Sequence, residues 1–148
     1  FSVFLMWGPL MVEGTYFVQR RSFSADALWI SIPFGMIVAL VLLANNLRDI
    51  SHDKSKHIKT IAIVLGAKKG FYLYSGLIAL AYASILMMIG LGILSPWSFA
   101  VFLSLPIAVK ILRIMAEKIP DDADARTAQL DTAFGILLLI SLIAEALL

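Results

Sequence analysis

The 148-residue chain is 61% hydrophobic and 15% charged, has no cysteine, and carries a mean hydropathy of +0.93 with a formal net charge of +2. A soluble domain holds about a quarter charged residues and roughly half apolar ones, so these proportions describe a membrane protein. They exclude a disordered tail, a disulfide scaffold and any cysteine-ligated metal or thiol nucleophile, and so small a charge gives no argument for nucleic acid as a partner.

Phe1 to Val18 is apolar from its first residue and reads as the exit half, or nearly all, of a membrane span. With no initiator Met, and no positive stretch or small-residue cleavage site before Glu13, a segment of a longer protein is expected here rather than a secretory signal. Glu13 is an ionisable group inside that span, which by default marks a functional site, while Tyr16 and Gln19 suit packing or the interface. Nothing between Asp26 and Arg48 is charged, and 27–47 is long enough for one helix across a core that takes about 20 residues. Lys69 and Lys110 bracket a longer uncharged stretch that must cross twice; GLGILSPW (Gly90 to Trp97) supplies the turn, giving spans over 71–93 and 97–115. A last span is expected over 132–148. The predicted fold is all-α, a polytopic transmembrane helix bundle of about four and a half spans in a single domain covering 1–148.

Arg20 and Arg21 fall on one side of this arrangement, and Arg48, Lys54, Lys56, Lys59, Lys68, Lys69, Lys110, Arg113, Lys118 and Arg126 on or near the other. The positive-inside rule makes the richer side cytoplasmic. Trp7, Trp29, Trp97, Tyr72 and Tyr74 lie near predicted span ends, where interfacial anchors belong. Two loops on the richer side, Arg48 to Gly70 and Glu117 to Asp131, concentrate the polar chemistry. In the second, Asp121, Asp122 and Asp124 read as a solvated turn or helix start before Arg126, and Lys110 and Arg113 as side chains that snorkel to the surface.

The stretch from Leu42 to Gly66 is the one whose composition needs a reason. Asn45 and Asn46 precede the end of the hydrophobic run, and Arg48, Asp49 and Asp53 follow. Asn45, Asp49 and Asp53 are spaced i, i+4, i+8, so a helix continuing out of the membrane sets three oxygen-bearing side chains on one face. Such a hard-oxygen surface suits Mg²⁺, which takes one or two carboxylates from protein and fills its octahedron with water and phosphate oxygens. Arg48, Lys54, Lys56 and Lys59 add cations beside it, an arrangement that matches a diphosphate whose tail lies in lipid. On charge pattern alone, a solvated loop after a helix is the other reading of the same residues, His52 and His57 included.

These residues resemble the UbiA superfamily of intramembrane aromatic prenyltransferases. Members share two Asp-rich motifs at helix ends, the second a DxxxD followed by a basic loop and a K/R-T-L-A-x-x-L-G tail. Here the match is DISHD (Asp49 to Asp53), then KSKHI, then KTIAIVLG (Lys59 to Gly66). The preceding NNLRD and the segment GPLMVEGTYFVQ (Gly8 to Gln19) are most similar to the branch that prenylates 1,4-dihydroxy-2-naphthoate in menaquinone synthesis. The resemblance covers essentially the whole chain and implies the carboxyl-terminal half of a nine-helix fold. Three departures stand out: His57 where family loops commonly carry Gly, Glu13 in a mostly apolar family segment, and no first Asp-rich motif, which belongs to the amino-terminal half.

By that resemblance the partners are a polyprenyl diphosphate, an aromatic acceptor such as 1,4-dihydroxy-2-naphthoate and the lipid bilayer, in the cell inner membrane with the active-site loops cytoplasmic. Asp49 and Asp53 would be the catalytic pair and ligate Mg²⁺ with Asn45 in support; Asn45, Asn46, Arg48, Lys54 and Lys59 would contact substrate. A fragment without the first motif is expected to be inactive alone. A CDP-alcohol phosphatidyltransferase does not fit, because no DGxxAR precedes Asp49. Half of a secondary transporter with Glu13 as coupling site, or a non-catalytic membrane scaffold, are the competing readings.

Overall fold

The computed structural model describes residues 1–147, so Leu148, the last residue of the expected 132–148 span, lies outside the described residues. The path begins as one helical run, α1 (Ser2–Leu5), a π-helical turn (Met6–Leu10) and α2 (Met11–Arg20). Pro9 sits in the π turn, where its missing N–H and its ring are accommodated by the wider winding. Arg21, at φ 53°, ends α2 in the left-handed conformation and turns the chain toward α3.

Four helical stretches are long and apolar enough to cross a bilayer: α3 (Ala25–Arg48), α5 (Ile61–Gly90), the run Pro96–Glu117 and α7 (Ala123–Leu147). Their order matches the sequence expectation, but their bounds differ for physical reasons. The predicted 71–93 span begins instead at Ile61, where the Thr60 hydroxyl caps α5 by accepting the Ile63 N–H at 3.3 Å. A kink at Gly66 (φ 75°, ψ 164°) then separates this short entry from the long straight part. The third run opens with a 3₁₀ segment (Pro96–Ser104), with Pro96 at its start, before continuing as α6 (Leu105–Glu117). The last span was expected only from 132, yet α7 starts at Ala123. A buried stripe of Ala123, Thr127, Leu130, Phe134, Leu138 and Ser141 runs its length at helical spacing. The expected loop of 117–131 is therefore mostly helix.

α3 is the hub, packing on α1, the π turn, α5 and α7. Against α1 and the π turn the approach is backbone on backbone: a Cβ on Gly35 would lie 2.9 Å from Gly8 Cα and 2.9 Å from the Phe4 carbonyl oxygen. Against α5, a Cβ on Gly70 would lie 2.5 Å from Leu47 Cδ2. Ile37, Leu40, Ala44, Ile85, Leu130 and Phe134 are among the fully buried residues between these helices.

Hydroxyl pairs join the helices within this apolar core. Tyr74 of α5 meets Thr127 of α7 at 2.8 Å, Tyr82 of α5 meets Ser104 at 2.6 Å, and Ser98 meets Ser141 of α7 at 3.1 Å. In each pair the second member already donates its one proton to a carbonyl a turn back, Thr127 to Ala123, Ser104 to Val101 and Ser141 to Leu138. The first member must then be the interhelical donor. Tyr74 is fully buried, which corrects its reading as an interfacial anchor; Trp7, Trp29, Trp97 and Tyr72 are exposed as such anchors should be.

Candidate functional site

One face of α3 stays buried through Leu47, and the helix ends at the next residue, Arg48. The continuous helix expected through Asp53 is broken: Asp49 (φ −94°, ψ 11°) ends α3, and a short α4 (Ile50–Ser55) follows. The helical register nonetheless passes through the break, because the Asp49 N–H reaches the Asn45 carbonyl at 3.0 Å and the Asp53 N–H reaches that of Asp49 at 2.8 Å. Asn45, Asp49 and Asp53 thus remain successive turns of one staircase.

Arg48 organises this corner. Its Nε and Nη2 form a fork on Asp49, at 2.8 Å to Oδ1 and 2.9 Å to Oδ2, and Nη2 also donates to Asn45 Oδ1 at 2.6 Å. Its third side reaches another helix, with Nη1 donating to Asp124 Oδ1 of α7 at 2.6 Å. The guanidinium holds the Asp49 carboxyl below the usual carboxylate range, chiefly through the fork itself. Both oxygens that the sequence assigns to metal at Asp49, and the one at Asn45, face a cation already.

The other candidates lie around this corner without joining the cluster. Asn46 and Asp53 are half-buried, and neither side chain makes a hydrogen bond among the described residues. Lys54, Lys56 and Lys59 are exposed on α4 and the loop after it. His57 has a left-handed backbone (φ 58°), which is the conformation that makes Gly the common family residue at this place. The tail motif also acquires a physical meaning: Thr60 caps α5, Ala62 is fully buried, and Gly66 makes the kink.

Between α1, α3 and α7 a groove of about 560 Å³ runs from this corner into the apolar part of the bundle. Asn45 and Asp124 line its polar end, Val3, Trp7, Phe34 and Val38 its apolar length, and Asp131 one wall. Asp131 Oδ1 is buried without a hydrogen-bond partner among the described residues. Sequence reasoning missed Asp124 and Asp131 because both were assigned to a loop; the i, i+3, i+7 spacing of Thr127, Leu130 and Phe134 was the signal that could have placed them on a helix.

Among the described residues no three Asp, Glu or His side chains come together as a metal cage. Two carboxylates one turn apart with a carboxamide oxygen do fit an ion that shares its shell with phosphate and water, which is how Mg²⁺ is ordinarily held beside a diphosphate. Glu13 stands apart, accepting the Ser24 N–H at 3.4 Å and bracing the corner between α2 and α3.

A family model described as the UbiA prenyltransferase family matches residues 1–142. The chain is 36% identical to 1,4-dihydroxy-2-naphthoate octaprenyltransferase of Bacillus subtilis (strain 168), over 92% of the chain and 45% of that protein. It is 34% identical to the Mycobacterium tuberculosis protein of the same name, over 74% of the chain and 36% of that protein. Human UbiA prenyltransferase domain-containing protein 1 is 28% identical over 95% of the chain and 41% of its own length. The chain thus spans less than half the length of these relatives. No solved structure matches it.

Proposed function

Because this chain belongs to the UbiA prenyltransferase family and is an integral membrane protein, we propose that it forms the carboxyl-terminal half of an intramembrane prenyltransferase. The complete enzyme transfers a polyprenyl group from its diphosphate to an aromatic acceptor, 1,4-dihydroxy-2-naphthoate, for menaquinone synthesis. An amino-terminal half, on the same chain or another, carries the first Asp-rich motif. The observation that supports this reading is the placing of hard oxygens, Asn45 and Asp124, at the mouth of an apolar groove between the end of α3 and the start of α7, with Arg48 bonded to both. The abundance of Lys and Arg at that end supports a location on the cytoplasmic face of the inner membrane.

In this mechanism Asp49, Asp53 and Asn45 would hold Mg²⁺, which when bound would supply positive charge to the departing diphosphate. Lys54 and Lys59, both exposed, would take the remaining diphosphate oxygens, and Asn46 would contact the substrate head. Arg48 sets the Asp49 carboxylate while keeping positive charge beside the leaving group. The groove walls of Val3, Phe34 and Val38 bury the first isoprene units, at about 0.8 kcal/mol per methylene, and keep water from the electrophilic carbon until the ring attacks. Glu13 is used at a helix corner, which favours this reading over a proton-coupled transporter.

The test is Mg²⁺-dependent prenylation of 1,4-dihydroxy-2-naphthoate in membranes. Asp49→Ala and Asp53→Ala should each abolish turnover while the protein still inserts. Unchanged turnover in either variant refutes the assignment.

A further inference from the structure

We propose that Asp124, at the start of the last helix, is a positioning residue for this reaction: through Arg48 it sets the Asp49 carboxylate and Asn45 carboxamide, and it keeps the guanidinium from competing with the divalent cation. The inference rests on the metal-binding reading of Asp49 above.

Arg48 and a divalent ion want the same oxygens. Asp49 offers both of its oxygens to Arg48, at 2.8 and 2.9 Å, and Asn45 offers its carboxamide oxygen at 2.6 Å. A guanidinium does not give up its charge at any working pH, so it cannot yield by losing a proton; it must yield by moving. Asp124 supplies the place to move toward. Its carboxylate takes Nη1 at 2.6 Å from the side opposite Asp49.

That anchor is fixed. One turn further along α7, Thr127 is fully buried and bonded to Tyr74 of α5 at 2.8 Å, so α5 holds the first turns of α7 in place. Nearby at the start of α7, Asp122 is engaged by Arg126 at 2.6 Å, and Asp121 offers Arg48 only its carbonyl oxygen, at 3.5 Å. With Asp124 present, Arg48 retains an anionic partner when a cation takes Asp49. Without it, Asp49 becomes the guanidinium's only anion in this cluster, and the metal must displace it.

The experiment titrates Mg²⁺ in prenyl transfer by the complete enzyme, and separately reads Mn²⁺ binding with inorganic pyrophosphate present by loss of the free-ion EPR signal. Asp124→Asn should raise the half-saturating concentration of either ion about fivefold, the scale of a partly exposed ion pair. Asp124→Glu should restore the parent value. In an Arg48→Gln background, Asp124→Asn should add no further shift in Mn²⁺ binding. Should Asp124→Asn not accumulate in membranes, Asp124→Ser reads the same link. An unchanged metal requirement with only lowered thermal stability overturns the proposal and leaves a plain interhelical ion pair, as does a shift that persists without Arg48. If Asp49→Ala itself keeps full Mn²⁺ binding and turnover, the metal reading fails instead, which separates the two outcomes.

Discussion

The Tyr74–Thr127 pair predicts an asymmetry between its two deletions. Both residues are fully buried, and their oxygens are 2.8 Å apart. Thr127 gives its proton to the Ala123 carbonyl at 2.7 Å, so Tyr74 is the donor between the helices. Tyr74→Phe removes that donor and leaves Thr127 with its own bond intact, a loss of about 0.6 kcal/mol for an interhelical hydrogen bond in a membrane protein. Thr127→Val keeps the shape of the threonine but strands the buried tyrosine O–H, at about 1–3 kcal/mol. The double variant leaves no stranded group and should cost less than Thr127→Val alone. Unfolding the protein from bicelles by SDS titration gives the free energies directly. A Tyr74→Phe cost equal to or above that of Thr127→Val, or simple addition in the double variant, refutes the donor assignment.

Gly35→Ala should destabilise by about 1–3 kcal/mol in the same assay, because its methyl group meets Gly8 Cα and the Phe4 carbonyl oxygen at 2.9 Å, whereas Gly14→Ala, with nothing within 4 Å, should cost nothing. His57→Gly should stabilise by about 0.5–1 kcal/mol, since the backbone there has φ 58°; a loss of stability would show that the His57 side chain contributes more than its strain removes. Arg126, hydrogen-bonded to Asp122, holds that carboxyl below its ordinary range, so the pair's contribution is complete above the unfolded Asp value of about 3.9 and disappears as the pH falls through the lower folded value. A ¹³C carboxyl titration should show the Asp122 midpoint rising toward the ordinary value in Arg126→Gln; an unmoved midpoint would remove the cause.

The four long helices were legible because hydropathy is local: uncharged stretches such as 27–47 announce themselves without any knowledge of neighbours. The start of α7 was not, because a composition window averages Asp124, Arg126 and Asp131 with Thr127 and Leu130 of the buried stripe. The site divides the same way. The spacing of Asn45, Asp49 and Asp53 is contained in one short segment, and the backbone bonds through Asp49 preserve it. The Arg48–Asp124 contact joins residues from opposite ends of the chain, and only the packing of α3 on α7 brings them together. Tyr74 looked interfacial from its position in sequence; its hydroxyl pairing with Thr127 depends on a helix whose start was misplaced.

The location of the cluster follows from where the core stops. Leu47 and Ala62 are 3% and 0% exposed, and Gly70 lets Leu47 press against α5, so α3 is gripped to within one residue of Arg48. A long flexible arginine rooted in that grip loses little reach to backbone motion, and its fork on Asp49 is set by a rigid helix rather than by a loop. The lysines past α4 have no such footing: they are exposed and follow the left-handed turn at His57. The oxygens near the bundle are thus held by the packed helix, and the exposed cations lie outside it. Under the proposed function, the former would meet the geometry that metal ligands demand, while the latter would supply charge to a diphosphate with many oxygens.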